Sequence, residues 1–121
     1  MKIRLHEIEL GTVSLQESST FFQSLLQLKP RLQQPELSVL DAGVPGIDLN
    51  LSTHVAPGVI ALSFITDDLE AVEQRLQAAG ITYEGPRPSH LGMTAIRFQD
   101  TNGYVIFVNQ AGTDSPAWLK V

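Results

Sequence analysis

Two helix-start signatures about half a chain apart constrain this sequence more than any other feature. Ser14 is followed three residues later by Glu17, and Asp67 by Glu70. In that spacing a side-chain oxygen can accept from the first-turn backbone while the acid reaches back to the cap. Each signature follows an apolar strand-like run, "KIRLHEIELGTV" in one case and "VIALSFIT" in the other. After each signature apolar residues recur at helical spacings: Phe21, Phe22, Leu25 and Leu26 in the first helix, Leu69, Val72, Leu76 and Ala79 in the second. Pro30 stops the first helix and Gly80 caps the second.

Three strand-like runs follow each helix. The first set lies within "RLQQPELSVLDAGVPGIDLNLST", punctuated by Pro35, Gly43, Pro45 and Gly46. The second is "ITYEG", "MTAIRFQD" and "YVIFVNQ", with Asn102-Gly103 turning between the last two. Strand, helix and three strands therefore occur twice, over residues 1–55 and 56–110, and a tail of residues 111–121 follows. This order predicts an α+β fold in one domain spanning residues 1–121. Its two βαβββ modules form curled, mostly antiparallel sheets around a cleft, the usual place for a small ligand.

Composition removes several alternatives. A chain of 121 residues with 43% hydrophobic content can bury a core without staples, and it has no cysteine for a disulfide, a thiolate nucleophile or a sulfur metal site. A formal net charge of −5 with only 8 Lys plus Arg lacks the basic footprint of a nucleic-acid binder. No apolar run approaches membrane-spanning length, and His6, Glu7 and Glu9 interrupt any signal-like segment, so the expectation is a cytoplasmic protein with no membrane partner. Fingerprints for serine hydrolases, phosphate loops and dinucleotides are missing.

The segment "IALSFITDDLEAVEQRLQAAGITYEG…TAIRFQDTNGYVIFVNQ" resembles the glyoxalase, bleomycin-resistance and extradiol-dioxygenase superfamily, the vicinal oxygen chelate proteins. There "RLxxAG" ends the helix and "F-x-D-P-D-G-N-x-I-E-L-x-Q" closes the domain. "HEIELGTVSLQESSTFFQSLLQL" is a looser match to the family's opening strand and helix. The family hosts lyases, epimerases, dioxygenases and non-catalytic binders, so the resemblance implies a fold more narrowly than a function.

Metal-dependent members hold a divalent ion with up to four residues, two from each half. By resemblance the first position falls on Glu7, with His6 one residue away. The second falls on Asn50 or Asp48, the third on Ala61 or Ile60, and the fourth on Phe107. Two of these four positions offer no donor atom, and a cation needs several ligands to offset dehydration. The resemblance therefore implies a metal-free small-molecule binder of bleomycin-resistance type, without a cofactor and paired as a homodimer. The other reading is a glyoxalase I type lyase or isomerase, or a dioxygenase-related enzyme, in which His6, Glu7 and Asp48 hold Ni, Zn, Mn or Fe.

Strand alternation with Ile96 and Phe98 toward the helix sends Arg97 and Gln99 toward the cleft, with Phe107, Asn109, Ser63, Ile65, Glu7 and Glu9. Ligand contacts are accordingly expected from Glu9, Asn50, Ser63, Arg97, Phe107 and Asn109. Arg97 could clamp a carboxylate or phosphate, or pair with Glu7, Glu9 or Asp48. Phe107 could line a pocket or fill it. Glu7 is the candidate general base. Trp118 in the tail is expected to pack back on the domain or on a partner chain.

Overall fold

The computed structural model describes Met1–Val121. Its elements are β1 (Ile3–Gly11), α1 (Leu15–Leu26), β2 (Pro30–Gln34), β3 (Leu37–Val44), β4 (Ile47–Ser52), β5 (Ile60–Thr66), α2 (Leu69–Ala78), β6 (Glu84–Pro88), β7 (Thr94–Gln99) and β8 (Val105–Gln110). The fold is α+β, with the strand, helix, three-strand order occurring twice. The chain forms two compact units, one of Glu7–Ala61 and one of Met1–His6 with Leu62–Val121. No helix is long and apolar enough to cross a membrane.

In the Glu7–Ala61 unit the strand order is β2-β3-β4-β1. β3 runs antiparallel to β2 and β4, and β4 runs parallel to β1, a pairing that needs the crossover α1 belongs to. Ser14 caps α1 by accepting from the Glu17 backbone N–H at 3.2 Å, as the sequence predicts. Gly11 is required by packing, because a Cβ there would collide with the Ala56 carbonyl. Gln33, opposite Ser38 in the ladder, donates to Ser19 Oγ, so α1 lies on the face shared by Gln33, Ser38 and Leu51.

The apolar residues of α1 do not all face the sheet. The inward stripe is Leu15, Ser18, Ser19, Phe22 and Gln23, at the i, i+3, i+4, i+7, i+8 positions, and only Ser19 is fully buried. Phe21, Leu25 and Leu26 remain 55%, 66% and 60% exposed. Phe21 with Leu25, and Phe22 with Leu26, make two adjacent i, i+4 stripes that together are wider than the contact one short helix can bury.

In the other unit β5, β8, β7 and β6 are neighbours in that order, with the start of β1 beside β5. Leu69, Val72 and Leu76 of α2 form a core with Ile96 and Val108, walled by Phe64, Tyr83, Phe98 and Ile106. Four sequence expectations shift in this unit. The cap of α2 is Asp68, whose carboxylate accepts from the Ala71 N–H at 3.1 Å, while Asp67 accepts from the Lys2 N–H at 2.7 Å; Ala79 lies past the helix and is exposed.

The strand expected from Ile81 begins only at Glu84. Tyr83 Oη donates to Glu73 and accepts from Gln77, which holds this stretch against α2. The β7–β8 turn spans five residues, Asp100 to Tyr104, rather than two. The Asp100 carboxylate accepts from the Asn102 and Tyr104 N–H groups, both at 2.9 Å, and Gly103 takes the positive φ of 87°. The tail folds back: Leu119 joins Ile65 and Met93 in a second small core flanked by Trp118, and Arg4 Nε donates to the Lys120 carbonyl at 2.6 Å.

Candidate functional site

Each unit turns one polar sheet face away from its helix. In the Glu7–Ala61 unit the parallel register sets Glu7 beside Asp48 and Glu9 beside Asn50, so these four side chains share one face. Val39, opposite Asn50 in the next ladder, adds an apolar neighbour. All five are buried, Glu7 and Asn50 with no exposed surface. Carboxylates so placed need donors, and Asn50 supplies one, its Nδ2 donating to Glu7 Oε2. The Asn50 Oδ1 is buried with no hydrogen-bond partner.

Asp48 is matched by Arg31 on β2, whose Nε donates to Oδ1 at 3.1 Å. Burial pushes the Asp48 carboxyl above its ordinary value of 3.8, Arg31 opposes this, and Glu7 adds to the rise. Nothing local singles out Arg31, which stands in "PRLQQ" without alternation around it. Only the β2–β3–β4 ladders carry it to Asp48.

In the other unit β7 and β8 pair with Ile96 opposite Val108 and Phe98 opposite Ile106, and these four pack toward α2. Arg97 opposite Phe107 and Ala95 opposite Asn109 therefore take the far face. The strand "YVIFVNQ" is therefore apolar on both faces: one covers the helix, and on the other the Phe107 ring lies under a cation. The Arg97 guanidinium is 5.9 Å from the ring centroid. Its ionic partner is Glu84 on β6, with Nη1 to Oε2 at 3.7 Å across the ladder, rather than Glu7, Glu9 or Asp48. Arg97 Nε is buried without an acceptor.

Asn109, also buried, donates from Nδ2 to the Phe64 carbonyl and contacts His6 Nε2, both at 3.2 Å. A carbonyl oxygen requires the amide nitrogen on that side. His6 Nε2 is therefore the acceptor and its ring proton sits on Nδ1. Ser63 is buried on β5. Ile65, expected to face a ligand, is instead covered by Met93 and the tail residue Leu119, an interaction between distant segments that alternation within β5 cannot reveal.

Of the four positions that the resemblance assigns to a divalent ion, two hold no donor atom. Ala61 is buried and has no donor, and Ile60, the neighbouring register, is an exposed aliphatic side chain. Phe107 presents a ring to Arg97. Of the remaining donors, the Glu7 carboxylate already accepts from an amide N–H, and His6 Nε2 is used by Asn109.

No protein-family description matches the sequence, and no curated protein does. Solved structures do match in fold. A glyoxalase/bleomycin resistance protein/dioxygenase superfamily member from Vibrio splendidus 12B01 is 19% identical, covering 90% of this chain and 99% of that one with a TM-score of 0.67. Methylmalonyl-CoA epimerase from Mycobacterium tuberculosis is 17% identical, covering 89% and 87% with a TM-score of 0.66. A variant of homoprotocatechuate 2,3-dioxygenase from B. fuscum is 21% identical over 96% of this chain and 34% of that chain, with a TM-score of 0.69. At these identities the likeness is one of fold.

Proposed function

Starting from a chain that has the fold of the glyoxalase/bleomycin resistance/dioxygenase superfamily, we propose that it binds a small molecule without a metal ion. The carrying observation is Arg97 over Phe107: at the position where metal-using relatives are expected to carry a carboxylate, this chain has an aromatic ring facing a cation. A ring can stack on a planar ligand and a guanidinium can grip a carboxylate or phosphate, so an anionic, partly apolar ligand matches this pair. Glu84 sits 3.7 Å from Arg97 and is more than half exposed, a loose partner that a bidentate anion would outcompete. Asn109 and Ser63, further proposed ligand contacts, lie buried in the same unit.

The enzymatic reading, a glyoxalase-type lyase or isomerase, takes Glu7 as its base. Glu7 is fully buried, as a tuned base often is, but the amide N–H of Asn50 already occupies one of its oxygens, which favours the binding reading. The resemblance further supports a protein that pairs as a homodimer.

Elemental analysis and thermal shift test the proposal together. The purified protein should carry no stoichiometric Ni, Zn, Mn or Fe, and should gain stability with aromatic carboxylates but not with those metals. Arg97→Ala should abolish the carboxylate response. A bound metal at unit stoichiometry that raises the melting temperature overturns the proposal.

A further inference from the structure

One side of α1 carries large apolar residues that the fold leaves uncovered. Phe21, Leu25 and Leu26 stand more than half exposed on one short helix. Exposed apolar residues scattered singly are ordinary, whereas a contiguous set marks a contact surface. The large apolar residues of α2, namely Leu69, Val72 and Leu76, are by contrast all buried in a core. The excess on α1 is thus specific to this helix.

From Ser18 to Leu28 the chain carries no charged side chain, although its net charge is −5. That combination selects the occupant. In a contact about a two-fold axis each residue near the axis meets its own copy, so any charge there is doubled against itself. Two molecules of charge −5 pair at least cost where neither presents charge. A different protein would be guided by opposite charge, and this helix face offers none to read.

We infer that the Phe21, Leu25 and Leu26 face of α1 is the surface through which two copies of this chain pair. The inference rests on the homodimer reading above and gives it a location. Three side chains per copy are far fewer than the roughly 20–30 residues a side of a standard interface, so the pair is weak unless neighbouring loops extend it. Phe21, edge-on to Phe22 with ring centroids 5.4 Å apart, is its aromatic anchor.

Sedimentation velocity from low to high micromolar protein tests this. The wild type should show a concentration-dependent dimer, and Leu25→Glu should weaken it by about tenfold or more, since it sets two carboxylates against each other at the axis. Because Leu25 is exposed, circular dichroism of that variant should match the wild type. The chain lacks cysteine, so Leu25→Cys and, as a control on α2, Gln74→Cys give single-thiol proteins. A short bismaleimide should link the first into dimers much faster than the second.

A wild type that stays monomeric throughout overturns the pairing itself. A dimer unaffected by Leu25→Glu, with equal linking of the two thiol variants, leaves pairing intact and overturns the assignment to α1.

Discussion

The two helices occupy equivalent places in the repeat and are built differently. α2 sets Leu69, Val72 and Leu76 on one stripe and buries all three against Ile96 and Val108. α1 has more large apolar residues, yet its inward stripe carries Ser18, Ser19 and Gln23, and Ser19 is its one fully buried residue. Apolar content therefore does not measure how firmly a helix is held. What matters is whether its apolar residues share the arc that the sheet can cover. The second module is fastened by its helix core, and the first leaves hydrophobic surface for another use.

The largest test of this contrast is truncation at matched leucines. Leu76→Ala should cost about 2–4 kcal/mol, a transfer term plus a cavity. Leu25→Ala should stay within about 0.5 kcal/mol when urea unfolding is followed at low protein concentration. Equal losses would mean that α1 is held by its outer face after all.

The polar faces differ as well. Asn50→Ala strips Glu7 of its amide donor and should cost about 2 kcal/mol, with part recovered on adding Glu7→Gln, because a buried carboxylate is the costlier group to leave short of donors. Asn109→Ala, whose partners are neutral, should cost less in the same urea series. The reverse order would show that the His6 and Phe64 contacts matter more than the carboxylate.

Next in size are the caps. Ser14→Ala and Asp68→Ala should each lose about 1 kcal/mol. Asp67→Ala should lose less, because it ties down the Lys2 backbone rather than the helix. A larger loss at Asp67 than at Asp68 would restore the cap that the sequence spacing suggested.

The smallest effect concerns pH. Burial raises the Asp48 carboxyl above 3.8 in the folded protein, so the folded state favours its neutral form. That contribution to stability is fully present below 3.8 and is lost as pH rises through the raised folded value. Asp48→Asn should accordingly be slightly more stable than wild type at neutral pH, and its stability should fall less as pH rises from about 4 toward 7. A marked loss at neutral pH would instead show that the Arg31 pair outweighs burial.

Much of the fold was legible because its signals are local. The Ser14 cap, the α2 stripe and the alternation in β7 and β8 depend on residues a few positions apart, and the fold and the opposite directions of Phe107 and Val108 follow from them. The site was legible only by face. Alternation placed Glu7, Glu9, Arg97 and Asn109 away from the helices, but their partners Asn50, Glu84, His6 and the Phe64 carbonyl are remote in sequence.

By itself, then, the sequence determined the repeated strand, helix and three-strand order and the chemistry that each side chain brings to its strand face, since covalent periodicity and side-chain chemistry need no fold to be read. Tertiary structure decided that Arg97 faces Glu84, that Arg31 serves Asp48, that the tail covers Ile65 and that α1 turns Ser18 and Ser19 inward and Phe21 out. Each depends on which surfaces compete for a limited contact area, and that competition exists only after the strands have paired.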